Sequence, residues 1–272
     1  MFDSTAIRID DPGDPRLADY RELRDPAARR RIEGDEFFVA EGPVAIERLL
    51  ASGHRIRSVL LSADKYARMA EQLGDARTYI VDRAVLAELT GFDLHRGAIA
   101  AADRRPHPTL TEVLAAARTV AVLEGLNDPE NLGAIARSAR ALGVDALVLD
   151  PTCIDSYTRR TVRVSMGEIL FLPSARVPAD EWPHVALATI HDAGFASWEL
   201  TPAPDAIDIW SLTRPAKVAL LLGAEGPGLS AAAIGSATAR VRLPIHRDVD
   251  SLNVGAAAAV AFAVAGRATN QT

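Results

Sequence analysis

An α/β fold in two compact units is the expectation for this chain, on three grounds. The 272 residues are 49% hydrophobic, enough for more than one sizeable core. Apolar runs of roughly five residues, bounded by turn signals, alternate with segments of helical period. Some runs, such as Val218 to Leu222, are apolar throughout, the pattern of parallel strands covered on both faces.

Residues 1 to 35 read as an irregular, charged lead-in with a short helix around Pro15 to Glu33. Alternation then sets in. "FFVAEG" is a strand, "PVAIERLLASG" a helix ended by Gly53, "IRSVLLS" a strand, and "YARMAEQLG" a helix ended by Gly74. "RTYIVD", a helix from Arg83 to Leu89, and "RGAIAAAD" complete this unit, and "RRPHPTL", residues 104 to 110, is the linker candidate. The expected boundaries are therefore 1–108 and 109–272. In the second unit "TVAVLEG", "ALVLD", "FASWEL", "KVALLLG" and "ARVRLPI" are strands. "NLGAIARSARALG", "EWPHVALATIHDAG", Leu229 to Gly235 and an alanine-rich terminal segment are helices, and "TRRTVRVSMGEILFLP" leads from arginines back into apolar strand.

Composition narrows the function classes. The net charge of −6 gives no general attraction to nucleic acid, so any basic contact surface is local. Candidate phosphate contacts are Arg29 and Arg30 in one arginine cluster and Arg159, Arg160 and Arg163 in another; a solvated helix face explains either cluster equally well. The acidic first residues lack the basic and apolar regions of a signal peptide, and the apolar run from Val254 to Gly266 is short of the roughly 20 residues needed to span a bilayer. A cytoplasmic protein with no membrane association is expected. Cys153 is the single cysteine, read as a small buried residue, and His54, His95, His107, His184, His191 and His246 show no metal-ligand spacing. No metal is expected.

Three stretches could carry chemistry. In "NDPENLGAIARSARALG", Asp128 before Pro129 reads as an N-cap, and Leu132, Ile135, Ala136, Ala139 and Leu142 form an apolar stripe. Helix formation needs neither Asn131 nor Arg137. Asn131 lies in the first turn after a strand, where open α/β sheets bind ligands. "VALLLGAEGPGLS" is a buried strand running into Gly223, Gly226 and Gly228, which let backbone amides approach a ligand. Its spacing is not the G-x-G-x-x-G of dinucleotide folds, which disfavours a nicotinamide enzyme. In "VRLPIHRDVDSLNVGAAAAVAFAVAG", Ser251 is a candidate cap of a helix small on every face, which other backbones can approach closely.

Together these stretches resemble the SpoU, or TrmH, family of RNA ribose 2′-O-methyltransferases in the SPOUT superfamily. "NLGAIARSA" is similar to the family's first motif, "LLLGAEGPGLS" to its second and "LPIHRDVDSLNVGAAAAV" to its third. The pattern of Glu36 to Asp103 is similar to the small L30e-like substrate domain of many members. The resemblance implies a SPOUT-type sheet with a C-terminal trefoil knot that holds S-adenosyl-L-methionine. The cofactor would be held by Gly223, Ala224, Gly226, Gly228, Leu243, Ile245 and Leu252. Arg137 matches the catalytic arginine, and Asn131, Glu225, Ser251 and Asn253 match the other polar motif positions. The implied partners are RNA, with ribosomal RNA favoured over transfer RNA, and a second copy of the chain in a homodimer. A non-catalytic RNA-binding or ribosome-assembly protein that keeps the fold is the competing reading.

Overall fold

The computed structural model describes residues 6–91, 97–246 and 248–266. The chain divides into two compact units, Met1–Arg105 with Tyr157–Leu170, and Pro106–Ser156 with Phe171–Thr272. The first unit is discontinuous, a feature absent from the boundaries read in sequence.

The first unit contains β1 (Ala6–Arg8), α1 (Pro26–Glu33), β2 (Phe37–Glu41), α2 (Pro43–Ala51), β3 (Ile56–Ser62), α3 (Ala63–Leu73), β4 (Thr78–Val81), α4 (Arg83–Thr90) and β5 (Ala98–Asp103). Its five-stranded sheet runs β1-β4-β3-β5-β2, with β1 and β3 parallel to β4 and β5 antiparallel to β3 and β2. Leu17, Tyr20, Phe37, Val39, Leu60, Val81 and Ile99 fill one core. The Tyr20 hydroxyl is hydrogen-bonded to Ser58 Oγ at 2.7 Å, so this buried phenol keeps a polar partner.

The lead-in departs from the single helix expected. It holds a 3₁₀ turn, Pro15–Tyr20, and a separate α1. The break falls at Asp25, which is biased to extended backbone by the following proline and accepts hydrogen bonds from Ala27 N and Ala28 N as the cap of α1. β1 escaped the sequence reading because it is three residues long and largely exposed.

The second unit contains α5 (Leu110–Ala116), β6 (Thr119–Glu124), α6 (Pro129–Ala141) and β7 (Ala146–Leu149) before the chain enters the first unit as α7 (Arg159–Val164). It resumes with β8 (Ser174–Arg176), α8 (His184–Asp192), β9 (Ala196–Leu200), β10 (Ile207–Asp208), β11 (Val218–Gly223), α9 (Ala231–Ser236), β12 (Ala239–Arg242) and α10 (Val254–Ala265). All seven strands are parallel, in the order β10-β12-β9-β11-β6-β7-β8. Val120, Val122, Ala219 and Leu221 point to one face and pack with residues of α5, α8 and α9. The alternate residues, Ala121, Leu123, Leu220 and Leu222, are equally buried on the other face, where α10 packs on β11 and on α6.

"EILFLP" does not form the apolar strand expected of it. Glu168–Phe171 is a 3₁₀ turn, and the strand is β8, beginning at Ser174. The cause lies just upstream, where Met166 and Gly167 both take positive φ, 56° and 80°. A Cβ on Gly167 would come within 2.6 Å of Arg48 Cβ, so the turn is set by a close approach that only glycine permits.

Candidate active site

The C-terminal ends of the central parallel strands carry the candidate site, as expected for an open α/β sheet. β11 ends at Gly223, where the chain reverses sharply. Gly228 N donates to Ala224 O at 2.9 Å, and Gly226 and Gly228 take φ of 90° and 71°. A Cβ on Gly223 would lie 2.2 Å from the Gly228 carbonyl carbon, so the turn folds directly over a position that has no room for a side chain.

This turn borders a cavity of 640 Å³. All seven residues expected to hold a cofactor line it: Gly223, Ala224, Gly226, Gly228, Leu243, Ile245 and Leu252. Glu225, Ser251 and Asn253 line it too. Sequence reasoning missed Leu200, Thr201 and Pro202, which enter from the end of β9. The available signal was that "FASWEL" ends there. What pattern could not show is that β9 lies beside β11, a fact of strand order.

At the cavity mouth three polar side chains from distant parts of the chain meet. Asn253 Nδ2 donates to Asn131 Oδ1 at 2.9 Å and to Glu225 Oε1 at 2.7 Å, and Val254 N donates to the same carboxylate oxygen at 3.4 Å. Asn253 Oδ1 accepts from Ala256 N at 3.2 Å. Asn253 is therefore the N-cap of α10, the role expected of Ser251. The correction has a local reason: α10 starts at Val254, so Ser251 sits two residues before the cap, where its hydroxyl can face the cavity instead.

Asn131 is held in place from the other side. Asp128 caps α6 by accepting from Glu130 N at 3.0 Å, as its sequence suggests. The loop before it is fixed by buried Asp150, whose Oδ1 accepts from Gly125 N at 3.1 Å and Cys153 N at 2.8 Å. Burial and the neighbouring Asp150 carboxylate push the Cys153 thiol up to about 12, consistent with an inert packing residue. Arg137 makes no hydrogen bond to Asn131, Glu225 or Asn253. It is exposed on α6, and among the described residues it has no hydrogen-bond or ion-pair partner.

The arginines proposed as phosphate contacts divide sharply. Arg29 is 5% exposed, bonded to Glu33 Oε1 at 2.7 Å and to the carbonyls of Asp19 and Arg21, and lies over the Phe37 ring. Its assignment as an RNA contact is corrected: it is a core cation. Arg159 and Arg163 share one face of α7 as the spacing suggests, but both converge on the carboxylate of Glu41, itself 4% exposed. Arg30 is exposed and pairs with Asp35 at 2.6 Å, and Arg160 is exposed. His95 lies outside the described residues, and among those described no helix is long and apolar enough to cross a membrane.

Comparison with known proteins identifies relatives of this architecture. The model of the SpoU rRNA methylase family matches residues 118–263. A Mycobacterium tuberculosis protein described as an uncharacterized tRNA/rRNA methyltransferase is 44% identical over 261 residues, 93% of this chain and 88% of its own. The AdoMet-bound rRNA methyltransferase of Sinorhizobium meliloti superposes with a TM-score of 0.81 at 23% identity, over 98% of this chain and 100% of that one. A solved RNA 2′-O ribose methyltransferase gives 0.75 at 27% identity, over 95% and 97%.

Proposed function

Because the chain belongs to the SpoU rRNA methylase family of methyltransferases, we propose that it transfers a methyl group from S-adenosyl-L-methionine to a ribose 2′-hydroxyl of structured RNA, with ribosomal RNA the favoured substrate. The observation that carries this reading is the meeting of Asn131, Glu225 and Asn253 at the mouth of a cavity walled by a glycine turn. The likeness to an RNA 2′-O ribose methyltransferase over nearly the whole chain supports the choice of hydroxyl.

The cavity suits the cofactor on size and chemistry. Its 640 Å³ falls in the usual range for small-molecule sites, with Leu200, Leu222, Leu243 and Ile245 as apolar walls and the backbone of Gly223 to Gly228 as the polar edge. When bound, S-adenosylmethionine supplies a methyl already activated on a sulfonium, which leaves the protein chiefly a positioning task. Asn253 and Asn131 orient the ribose, and Glu225, with Oε1 engaged by two N–H donors, offers Oε2 toward the departing proton. Arg137 supplies a guanidinium that stabilises the developing alkoxide and grips the adjacent phosphate.

The first unit, with its mixed five-stranded sheet, supplies phosphate contacts and shape readout as an L30e-like module. Leu243, Ile245, Ser251, Leu252 and Asn253, which line the same cavity as the glycine turn, belong with α10 to the trefoil-knotted terminus of the family. Calorimetric titration should find one S-adenosylmethionine site per chain, and mapping of 2′-O-methyl groups in total RNA should lose a position when the protein is absent. A chain that takes up no S-adenosylmethionine, or RNA unchanged by its loss, would overturn the reading.

A further inference from the structure

Glu124, the last residue of β6, is 8% exposed and does not line the cavity. In the parallel ladder it is paired with Gly223, the residue at which the glycine turn begins. Its side chain reaches the other end of the same turn, because Glu124 Oε2 accepts from Ser230 N at 2.7 Å. Its second oxygen, Oε1, accepts from Trp182 Nε1 at 2.8 Å. Entry and exit of residues 223 to 230 are thus fastened to one residue, by backbone at the start and by carboxylate at the end. Ser230 then fixes the exit direction as the N-cap of α9, accepting from Ala233 N at 3.2 Å.

We propose that Glu124 is the positioning residue for the cofactor turn, setting the curvature of Gly223 to Gly228 and hence cofactor affinity without touching the ligand. This rests on the reading of the cavity as the S-adenosylmethionine site. The chemistry explains the choice of residue. Two N–H donors approach from different elements, and a carboxylate offers an acceptor to each while presenting no donor of its own. A glutamine of the same shape satisfies one donor and turns its amide N–H₂ against the other. Gly223, having no side chain, leaves the space through which the turn folds back toward Ser230.

The test compares wild type, Glu124→Gln, Glu124→Asp and Trp182→Phe as full chains, titrated with S-adenosylmethionine and assayed for methyl transfer. Glu124→Gln should weaken binding about ten-fold and raise KM for the cofactor by the same factor. Turnover at saturating cofactor and affinity for RNA should stay near wild type. Glu124→Asp keeps the charge but is a methylene too short to hold both partners, so it should shift KM in the same direction, and it gives the same readout where the glutamine variant does not fold. Trp182→Phe leaves the bond to Ser230 intact, so it should lower the melting temperature while changing cofactor affinity less than about three-fold. Folded Glu124 variants with wild-type cofactor affinity, or with lowered turnover and unchanged KM, would overturn the assignment. A wild-type chain that binds no S-adenosylmethionine would overturn the cofactor reading itself, and this inference with it.

Discussion

Asn253 links three functions in one side chain: it caps α10 through Oδ1, and through Nδ2 it bonds both Asn131 and Glu225. Replacing it with alanine should cost about 1 kcal/mol of stability through the lost cap. The larger effect is on alignment, because Asn131 and Glu225 lose the donor that spaces them; turnover should fall by roughly 10²-fold while cofactor affinity stays near wild type. Melting curves and single-turnover rates measure the two effects separately, and a variant with full turnover would show that the three side chains do not orient the substrate. The polar residues of the motifs were legible in sequence because neither helix nor strand needed them. Charged residues were less so. Arg29 and Arg30 are adjacent and chemically alike, yet one is buried over Phe37 and the other is exposed beside Asp35. Which neighbour turns inward is decided by partners outside α1, the carbonyls of Asp19 and Arg21 and the ring of Phe37, and the pattern within the helix does not contain that information.

At the scale of elements, long strands and capped helices were readable and short pieces were not. β6, β11 and α6 carry continuous apolar runs or a capped stripe, whereas β1, β8 and β10 have three residues or fewer and exist only because a neighbouring strand pairs with them. α10 shows what its small residues are for. Gly255 faces Ala134 of α6, and a Cβ on Gly266 would lie 1.8 Å from the carbonyl oxygen of Leu142, so the chain at both ends of α10 approaches the α6 segment closely. Ala258, between them, is fully buried. Ala258→Leu adds three carbons where none fits and should destabilise the fold by about 1–3 kcal/mol, read as a lower melting temperature. Because Val254 and Ala257 of α10 line the cavity, cofactor affinity should fall in the same variant. An unchanged melting temperature would mean that the α6–α10 contact is loose.

The whole molecule sets a question that no single element answers. The acidic net charge and the pairing of Arg159 and Arg163 with Glu41 leave Arg137 as a cation with no partner among the described residues. It lies six residues after Asn131 on α6, about 120° from it round the helix, and so on a different face from the Asn131 side chain. α10 meanwhile exposes Ala256 and Val260 to solvent. If the chain forms the homodimer expected from its sequence, and this brings Arg137 of one protomer to the Asn131–Glu225–Asn253 cluster of its partner, inactivating substitutions at the two places should complement. Arg137→Ala and Asn253→Ala variants would each be nearly inactive alone. Unfolded together and refolded as a mixture, half of the dimers would be mixed, and each of these would contain one site with both residues intact. Activity should then recover to about a quarter of wild type. If the arginine serves the cluster of its own chain, every site in the mixture lacks one residue and the mixture stays as inactive as its parents. Sedimentation of the mixture, showing the same dimer in each case, separates that result from a failure to reassemble.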